Sequence, residues 1–310
     1  MIEIGVQTKG ICKEDEFVYG MAKIHRAGFT RVDFNLDIYL KNTDVYGGNL
    51  NTFFDQETDA LFRYFAPLKD AMDKYGIKPS QMHAPYPVKV KDKEEQNNYM
   101  MEEVIPKSLA IAGFLSIPWV VVHPIKMQYY AGKEAERQEN LAYFKSLISF
   151  LKKYNVRVCV ENLYESMNGR IVEGVCADPE DVVWYIDSLN EYAGGELFGL
   201  CLDTGHLQLV HRDPYRYIKT VGNRIKLLHL HENDFIGDLH QMPFTFGNDE
   251  VRGLDWESVI RGLREVGFDG TLSFETFPCM NSFPKGLREE VLKMIYEIGV
   301  YFREEIEKYD

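Results

Sequence analysis

Side chains that bind metal ions or carry protons sit at one kind of place in this sequence. His83, His123, Glu161, Asp203, His206, His231, Asp238, His240 and Glu275 each end a short run of strand length, most of them apolar, or follow one within a few residues. The stretch Phe198-Gly199-Leu200-Cys201-Leu202-Asp203-Thr204-Gly205-His206 shows the pattern best: an apolar run of strand length stops at a carboxylate, a glycine permits a turn, and an imidazole follows. Of the eight histidines, those at 83, 123, 206, 231 and 240 fall at such ends. Any one of them alone would read as a hydrogen-bonded structural residue. Together with carboxylates at the same depth they read as a metal site, because imidazole and carboxylate in combination suit zinc, manganese or iron.

The elements that must position these groups are strands alternating with helices. Strands are predicted over residues 2–8, 31–36, 78–83, 119–123, 157–161, 198–203, 225–231 and 271–275, as apolar runs bounded by glycine, proline or polar residues. Helical spacing follows each strand. It is predicted over 15–27, 55–75, 94–113 with Pro106 as a kink, 133–154, from Asp178-Pro179, from Asp213-Pro214, 256–266, and from Gly286 to the last residue. Residues 162–176 and 241–254 read as loops, the former polar and the latter long. Alternation of this kind predicts a parallel sheet, and eight strand–helix units in 310 residues predict one domain over 1–310 with the α/β fold of a closed (β/α)8 TIM barrel. In that barrel functional groups gather at the carboxyl ends of the strands, where all the candidates lie.

Other residues take plainer readings. His229, two residues before His231 on the same strand face, reads as an interior or supporting residue, and His25 and His211 as structural. Tyr86, Tyr164 and Phe277 follow strand ends and can wall a pocket, and Glu165 can approach a substrate. Trp119, Phe114 and Trp184 read as packing aromatics.

Composition narrows the function classes. With 45% apolar and 27% charged residues and a formal net charge of −13, the chain is an ordinary globular sequence whose surface should repel nucleic acid and anionic membrane. No apolar run reaches membrane-spanning length, the first residues read as a strand rather than a secretory signal, and five cysteines without a CxxC spacing fit a reducing cytoplasm. Neither a GxGxxG nor a GxxxxGK[ST] loop follows a strand, which removes the main support for nucleotide binding.

His83-Ala84-Pro85-Tyr86, Val122-His123-Pro124, Val160-Glu161-Asn162, Leu202-Asp203-Thr204-Gly205-His206, His231-Glu232-Asn233-Asp234, Asp238-Leu239-His240 and Phe274-Glu275-Thr276 resemble, in order and combination, the xylose-isomerase-like barrel superfamily. That superfamily holds sugar and sugar-phosphate isomerases and epimerases, together with the endonuclease IV branch that acts on abasic DNA. The likeness to the first branch implies one divalent ion, zinc or manganese with magnesium and cobalt as alternatives. Its ligands would be Glu161, Asp203, His231 and Glu275, with His206 on the substrate. Glu161 and Glu275 would then exchange a proton beside a substrate carbonyl, isomerising or epimerising a sugar or sugar derivative through an enediolate. The likeness to the endonuclease branch implies a three-zinc phosphodiester hydrolase, with His83, His123, His206, Asp238 and His240 as further ligands. A third reading is a metal-bearing barrel without its own chemistry that serves a partner chain. The first reading implies a small carbohydrate as partner, no nucleic acid or membrane, and is compatible with a homo-oligomer. Two departures bear on substrate: Phe235-Ile236-Gly237-Asp238 stands where ketose 3-epimerases carry an arginine, and the 241–254 loop is longer than the turn usual before Asp255-Trp256.

Overall fold

In the computed structural model, which describes residues 2–127, 131–247 and 253–308, the predicted strands form one parallel ring. The ring strands are β1 (Glu3–Gln7), β2 (Arg31–Asn35), β3 (Lys78–His83), β4 (Trp119–Val122), β5 (Arg157–Glu161), β8 (Phe198–Asp203), β9 (Ile225–His229) and β10 (Thr271–Phe274). They pair in the order β10-β1-β2-β3-β4-β5-β8-β9. The ring closes between β9 and β10, where a parallel bridge joins Leu230 to Phe274, with Leu230 N–H donating to Ser273 O (2.8 Å) and Glu275 N–H donating to Leu230 O (3.2 Å). The chain is a single (β/α)8 TIM barrel.

Two-residue alternation along these strands sorts the side chains into two cores. Val120, Val122, Val158, Val160, Leu200 and Leu202 point outward into the large apolar layer beneath the helices. Trp119, Val121, Cys159, Cys201 and Leu227 form a separate buried plug inside the ring. One step further along the same inward rows the plug gives way to polar groups: Asp33, Gln81, Glu161, Asp203 and His229 are all at most 1% exposed. An interior that is apolar below and polar above makes the upper end the chemical one.

The helices agree with their sequence cues where a cap specifies them. The Asp178 carboxylate accepts from Glu180 N–H (3.2 Å) and opens Pro179–Ala193, and Asp213 accepts from Arg216 N–H (3.0 Å) and opens Pro214–Val221. Each such cap contributes about 1 kcal/mol. The helix predicted over 133–154 is found at Lys133–Tyr154.

Four features differ from the sequence expectation. The 162–176 segment is not a plain loop: β6 (Tyr164–Met167) and β7 (Arg170–Glu173) make an antiparallel hairpin at the barrel mouth. A short helix, Thr204–Leu209, follows β8 at once. Pro106 does not kink its helix at its own position; the chain widens one turn earlier into a π-helix, Met100–Val104, between Glu94–Tyr99 and Ile105–Phe114. A wide turn lets the helix carry a residue that has no N–H and would otherwise meet a carbonyl of the preceding turn. The terminal helix begins at Arg288 and runs to Glu307, and the predicted last two residues, 309 and 310, lie outside the described residues. So do residues 248–252 of the long loop.

Candidate metal and acid–base site

The carboxyl ends of β3, β4, β5, β8 and β9 bring the candidate groups to one place. Glu161, the last residue of β5, is the hub: Oε2 lies 2.8 Å from His123 Nε2 and 3.5 Å from His83 Nε2, and Oε1 lies 3.2 Å from His229 Nδ1 and 3.5 Å from His206 Nδ1. His229 Nδ1 also stands 3.3 Å from Glu275 Oε2 and 3.9 Å from Asp203 Oδ2. Glu161, Asp203, Glu275 and His229 each offer a donor atom within 4.8 Å of the others, and all four are buried. His231 Nε2 approaches Asp203 Oδ2 at 2.9 Å, and its ring stacks on that of His240 with centroids 4.1 Å apart. Asp238 lies between His206 Nε2 (3.5 Å) and His240 Nε2 (3.2 Å).

Local hydrogen bonds explain why the groups hold these positions. Asn162 clamps the ends of β5 and β8 by donating to Asp203 O (2.9 Å) and accepting from Asp203 N–H (2.8 Å). Asp203 in turn accepts from His206 N–H at 2.7 Å, which starts the Thr204–Leu209 helix and fixes the Asp203 to His206 spacing. Gly205 is required by close approach, since a Cβ there would come within 2.0 Å of His231 Cε1 and 2.6 Å of Asn233 Nδ2. Asn233 Oδ1 accepts from Leu239 N–H (2.6 Å) and His240 N–H (3.1 Å), which shapes the loop presenting Asp238 and His240. The buried Glu232 carboxylate anchors the following loop by accepting from Thr245 N–H, Leu254 N–H and Trp256 Nε1–H at 3.2, 3.1 and 3.3 Å.

Sequence reasoning did not anticipate the support behind His229. Its Nε2 lies 3.1 Å from Asp33 Oδ2, which also accepts from Gln81 Nε2 at 3.2 Å. Asp33 lies 196 positions from His229 in sequence, and the only early sign was an acid between Val32 and Phe34 in a strand. His229 is thus interior as expected, yet it touches the carboxylates directly.

Charge is strongly redistributed here. Burial pulls His206 down, but Asp203, Asp238 and Glu161 outweigh it and raise its pKa to about 10. His240, likewise opposed by burial, is raised to about 9 by Asp238 and Glu275. Burial also works against His83 and His229, which neighbouring acids nevertheless raise, whereas it prevails at His123 and lowers it. Burial would raise Glu161 and Asp238, but the surrounding imidazoles hold both well below the ordinary carboxylate range.

These donors fit a divalent cation. Oxygens of three buried carboxylates converge, and the buried Glu161 Oε2 and His231 Nδ1 have no hydrogen bond of good geometry. Three rings are also pre-set for ligation: His83 Nδ1 donates to Ala84 O (2.8 Å), His206 Nδ1 to Asn162 O (2.8 Å) and His240 Nδ1 to Glu275 O (3.2 Å). Each bond turns Nε2 toward the cluster, the outer-shell arrangement that orients metal-binding histidines. Two further groupings, His83 with Glu161 and His229, and His231 with His240 and Glu275, have donors equally close together.

Above this floor opens a cavity of about 550 Å3, walled by Tyr86, stacked on His123 at 4.1 Å, and by Tyr164, edge-on to His206 at 5.2 Å. Glu165 of the hairpin lines its outer part. Phe277 lies instead in a neighbouring lobe that shares Tyr86, Asp238, His240 and Glu275 with the first.

The sequence profile of xylose isomerase-like TIM barrels matches residues 22–297. The chain belongs to that family. Among solved structures, L-ribulose 3-epimerase superposes with a TM-score of 0.70 at 15% identity, covering 99% of this chain and 96% of that one. The 3-keto-D-glucoside 4-epimerase of E. coli superposes with a TM-score of 0.68 at 12% identity, covering 96% and 100%. At such identities the likeness speaks for the shared barrel. In sequence, the protein MJ1311 of Methanocaldococcus jannaschii is 24% identical over 237 residues, 74% of each chain. The protein y4fM of Sinorhizobium fredii is 24% identical over 180 residues, and the match spans 52% of its length and 56% of this chain. No helix among the described residues of this family member is long and apolar enough to cross a membrane.

Proposed function

We propose that this single-domain barrel is a metal-dependent isomerase or epimerase of a sugar or sugar derivative. The observation that carries the reading is the convergence of Glu161, Asp203 and Glu275, from three different strands, beneath a tyrosine-walled cavity. Glu161, Asp203 and Glu275, with His231 or His229 as the nitrogen donor, would hold a zinc or manganese ion, with magnesium and cobalt as alternatives. A divalent cation bound there would polarise the substrate carbonyl and make the neighbouring C–H acidic.

The remaining work falls to the chain. Glu161 and Glu275 reach the same His229 nitrogen from the ends of different strands, and both line the cavity. One, ionised, would take the proton beside the carbonyl, giving an enediolate; the other, entering the step protonated, would deliver its own proton to the opposite face of that carbon for epimerisation, or the first would return its proton to the neighbouring carbon for isomerisation. The imidazoles around Glu161 keep it ionised at neutral pH, as a base must be. His206 Nε2, at the cavity floor, donates to a substrate hydroxyl, while Tyr86 and Tyr164 cover the sugar and exclude water. Structural likeness to sugar epimerases supports this reading, and five buried free cysteines support a cytoplasmic setting.

Deuterium uptake at carbon tests it. Metal-loaded protein incubated with ketoses in D2O should exchange the hydrogen beside the carbonyl. Folded, metal-loaded Glu161→Gln and Glu275→Gln should lose about a hundredfold or more of that rate. Full activity in both variants would sink the assignment.

A second reading is favoured by the three separate groupings of potential ligands, which suit several ions and the phosphodiester hydrolysis of the endonuclease IV branch. Metal counting separates the two: three zinc ions per chain with cleavage of abasic DNA supports the hydrolase, one ion with ketose exchange the epimerase.

A further inference from the structure

The cavity above the acid–base floor carries charge of both signs. Glu161, Asp238 and Glu275 of the cluster line it, and so do Glu165 and three lysines, Lys89, Lys91 and Lys126. Lys89 is taken up by an ion pair with Glu139 on the rim. Lys126, three residues past His123, is only partly exposed, and its ammonium lies over the ring of Tyr164, 4.8 Å from the centroid. Among the described residues it makes no hydrogen bond or ion pair. The acids that face it are Glu165 and Glu136 at the rim and Glu161 and Asp238 on the floor, and none closes a contact. Glu165 turns one oxygen to Ser166 N–H (2.9 Å), and Glu136 turns one toward Met127 N–H (3.4 Å). Burial lowers the Lys126 pKa and outweighs the opposing pull of these four acids. Such a group is costly to keep unless something that enters the cavity supplies the missing charge.

We propose that the outer half of this cavity is a subsite for a negatively charged substituent of the sugar, a carboxylate or a phosphate, gripped by Lys126 against the face of Tyr164. The proposal rests on the epimerase reading for the identity of the sugar at the floor, but the anion subsite itself does not depend on turnover. Lys126 then selects among substrates: the floor, common to any ketose, acts on the carbonyl end, and Lys126 reads the charge at the other.

The test pairs binding with turnover in metal-loaded enzyme. Calorimetry with D-glucose, D-glucuronate and D-glucose 6-phosphate compares a neutral sugar with the two anionic forms, in wild type, Lys126→Met and Lys126→Arg. At least one anion should bind roughly tenfold to a hundredfold more tightly than the neutral sugar, as for a charge-assisted hydrogen bond. The preference should vanish in Lys126→Met and return in large part in Lys126→Arg. Which anion wins assigns carboxylate or phosphate. The same ratio is then read as kcat/KM on a ketohexose, its 6-phosphate and the matching keto-uronate. Equal preference in wild type and Lys126→Met, or no preference in either, overturns the subsite, and with ketose turnover intact it leaves the epimerase reading standing. A Lys126-dependent preference in binding with no turnover of any ketose keeps the subsite and removes the epimerase.

Discussion

Loading the site with a divalent ion should expel protons, and the number released reports which rings become ligands. In the metal-free protein His206 and His240, raised to about 10 and about 9, are charged at neutral pH, and His229, also raised, holds a proton between Glu161 and Glu275. A ring must be neutral to coordinate, and a cation entering the Glu161, Asp203 and Glu275 cluster removes the acceptors that keep His229 charged. The single-ion arrangement therefore predicts about one proton per chain, and engagement of His206 and His240 adds about two more. Apparent affinity should rise about tenfold per pH unit for each proton released, and flatten once the pH passes the raised values. Calorimetric titrations with zinc or manganese in buffers of different ionisation heats measure the count directly. Stoichiometric binding with no proton release near neutral pH would refute the charge assignment of the whole cluster. The sign for stability is opposite: groups whose folded pKa is raised stabilise the metal-free protein fully below about pH 6.5, and that contribution is lost as pH climbs through about 9 and about 10. Chelated protein should lose melting temperature across that window, and loaded protein should lose less.

Other substitutions probe the scaffold. Asp33→Asn removes the acceptor at His229 Nε2 but leaves Glu161 and Glu275 on Nδ1, so the ring should stay charged in the metal-free protein and the proton released on metal binding should persist in the same calorimetric series. Gly205→Ala would drive a methyl into His231 and Asn233, and should cost about 1–3 kcal/mol by denaturant unfolding while lowering bound metal in elemental analysis. Glu232→Gln weakens three hydrogen bonds that tie the long loop to the barrel, and should lower the urea midpoint by about 1–3 kcal/mol of stability, with metal content retained.

The ends of β4, β5 and β8 were legible in sequence because an apolar run there stops at a single ionisable residue. Glu161, Asp203 and His83 are the last residues of their strands, and His123 and Glu275 stand one residue beyond theirs. Helices with an Asp-Pro cap were equally plain. What escaped notice depends on contacts across the ring. Asp33 looks like an isolated acid until the barrel closes and brings it to His229. The alternation rule gave the depth of His229 but not its neighbours. The β6–β7 hairpin is four residues a side and carries Glu165, Ser166, Arg170 and Glu173, too polar and too short for a period to stand out from a loop. Lys126 has no local signature at all, because its meaning comes from Tyr164, on a different segment.

The β10 strand occupies a particular place in this ring. It pairs with β1 at the very start of the chain and, through Leu230, completes the last joint with β9. Until it docks, β1 and β9 are open edges that can recruit strands from other molecules, and the buried carboxylate cluster lacks Glu275. A ribosome-bound chain that has emerged only through β9 is therefore sticky and short of one carboxylate of its cluster. The keystone that silences its edges is the same segment that completes that cluster.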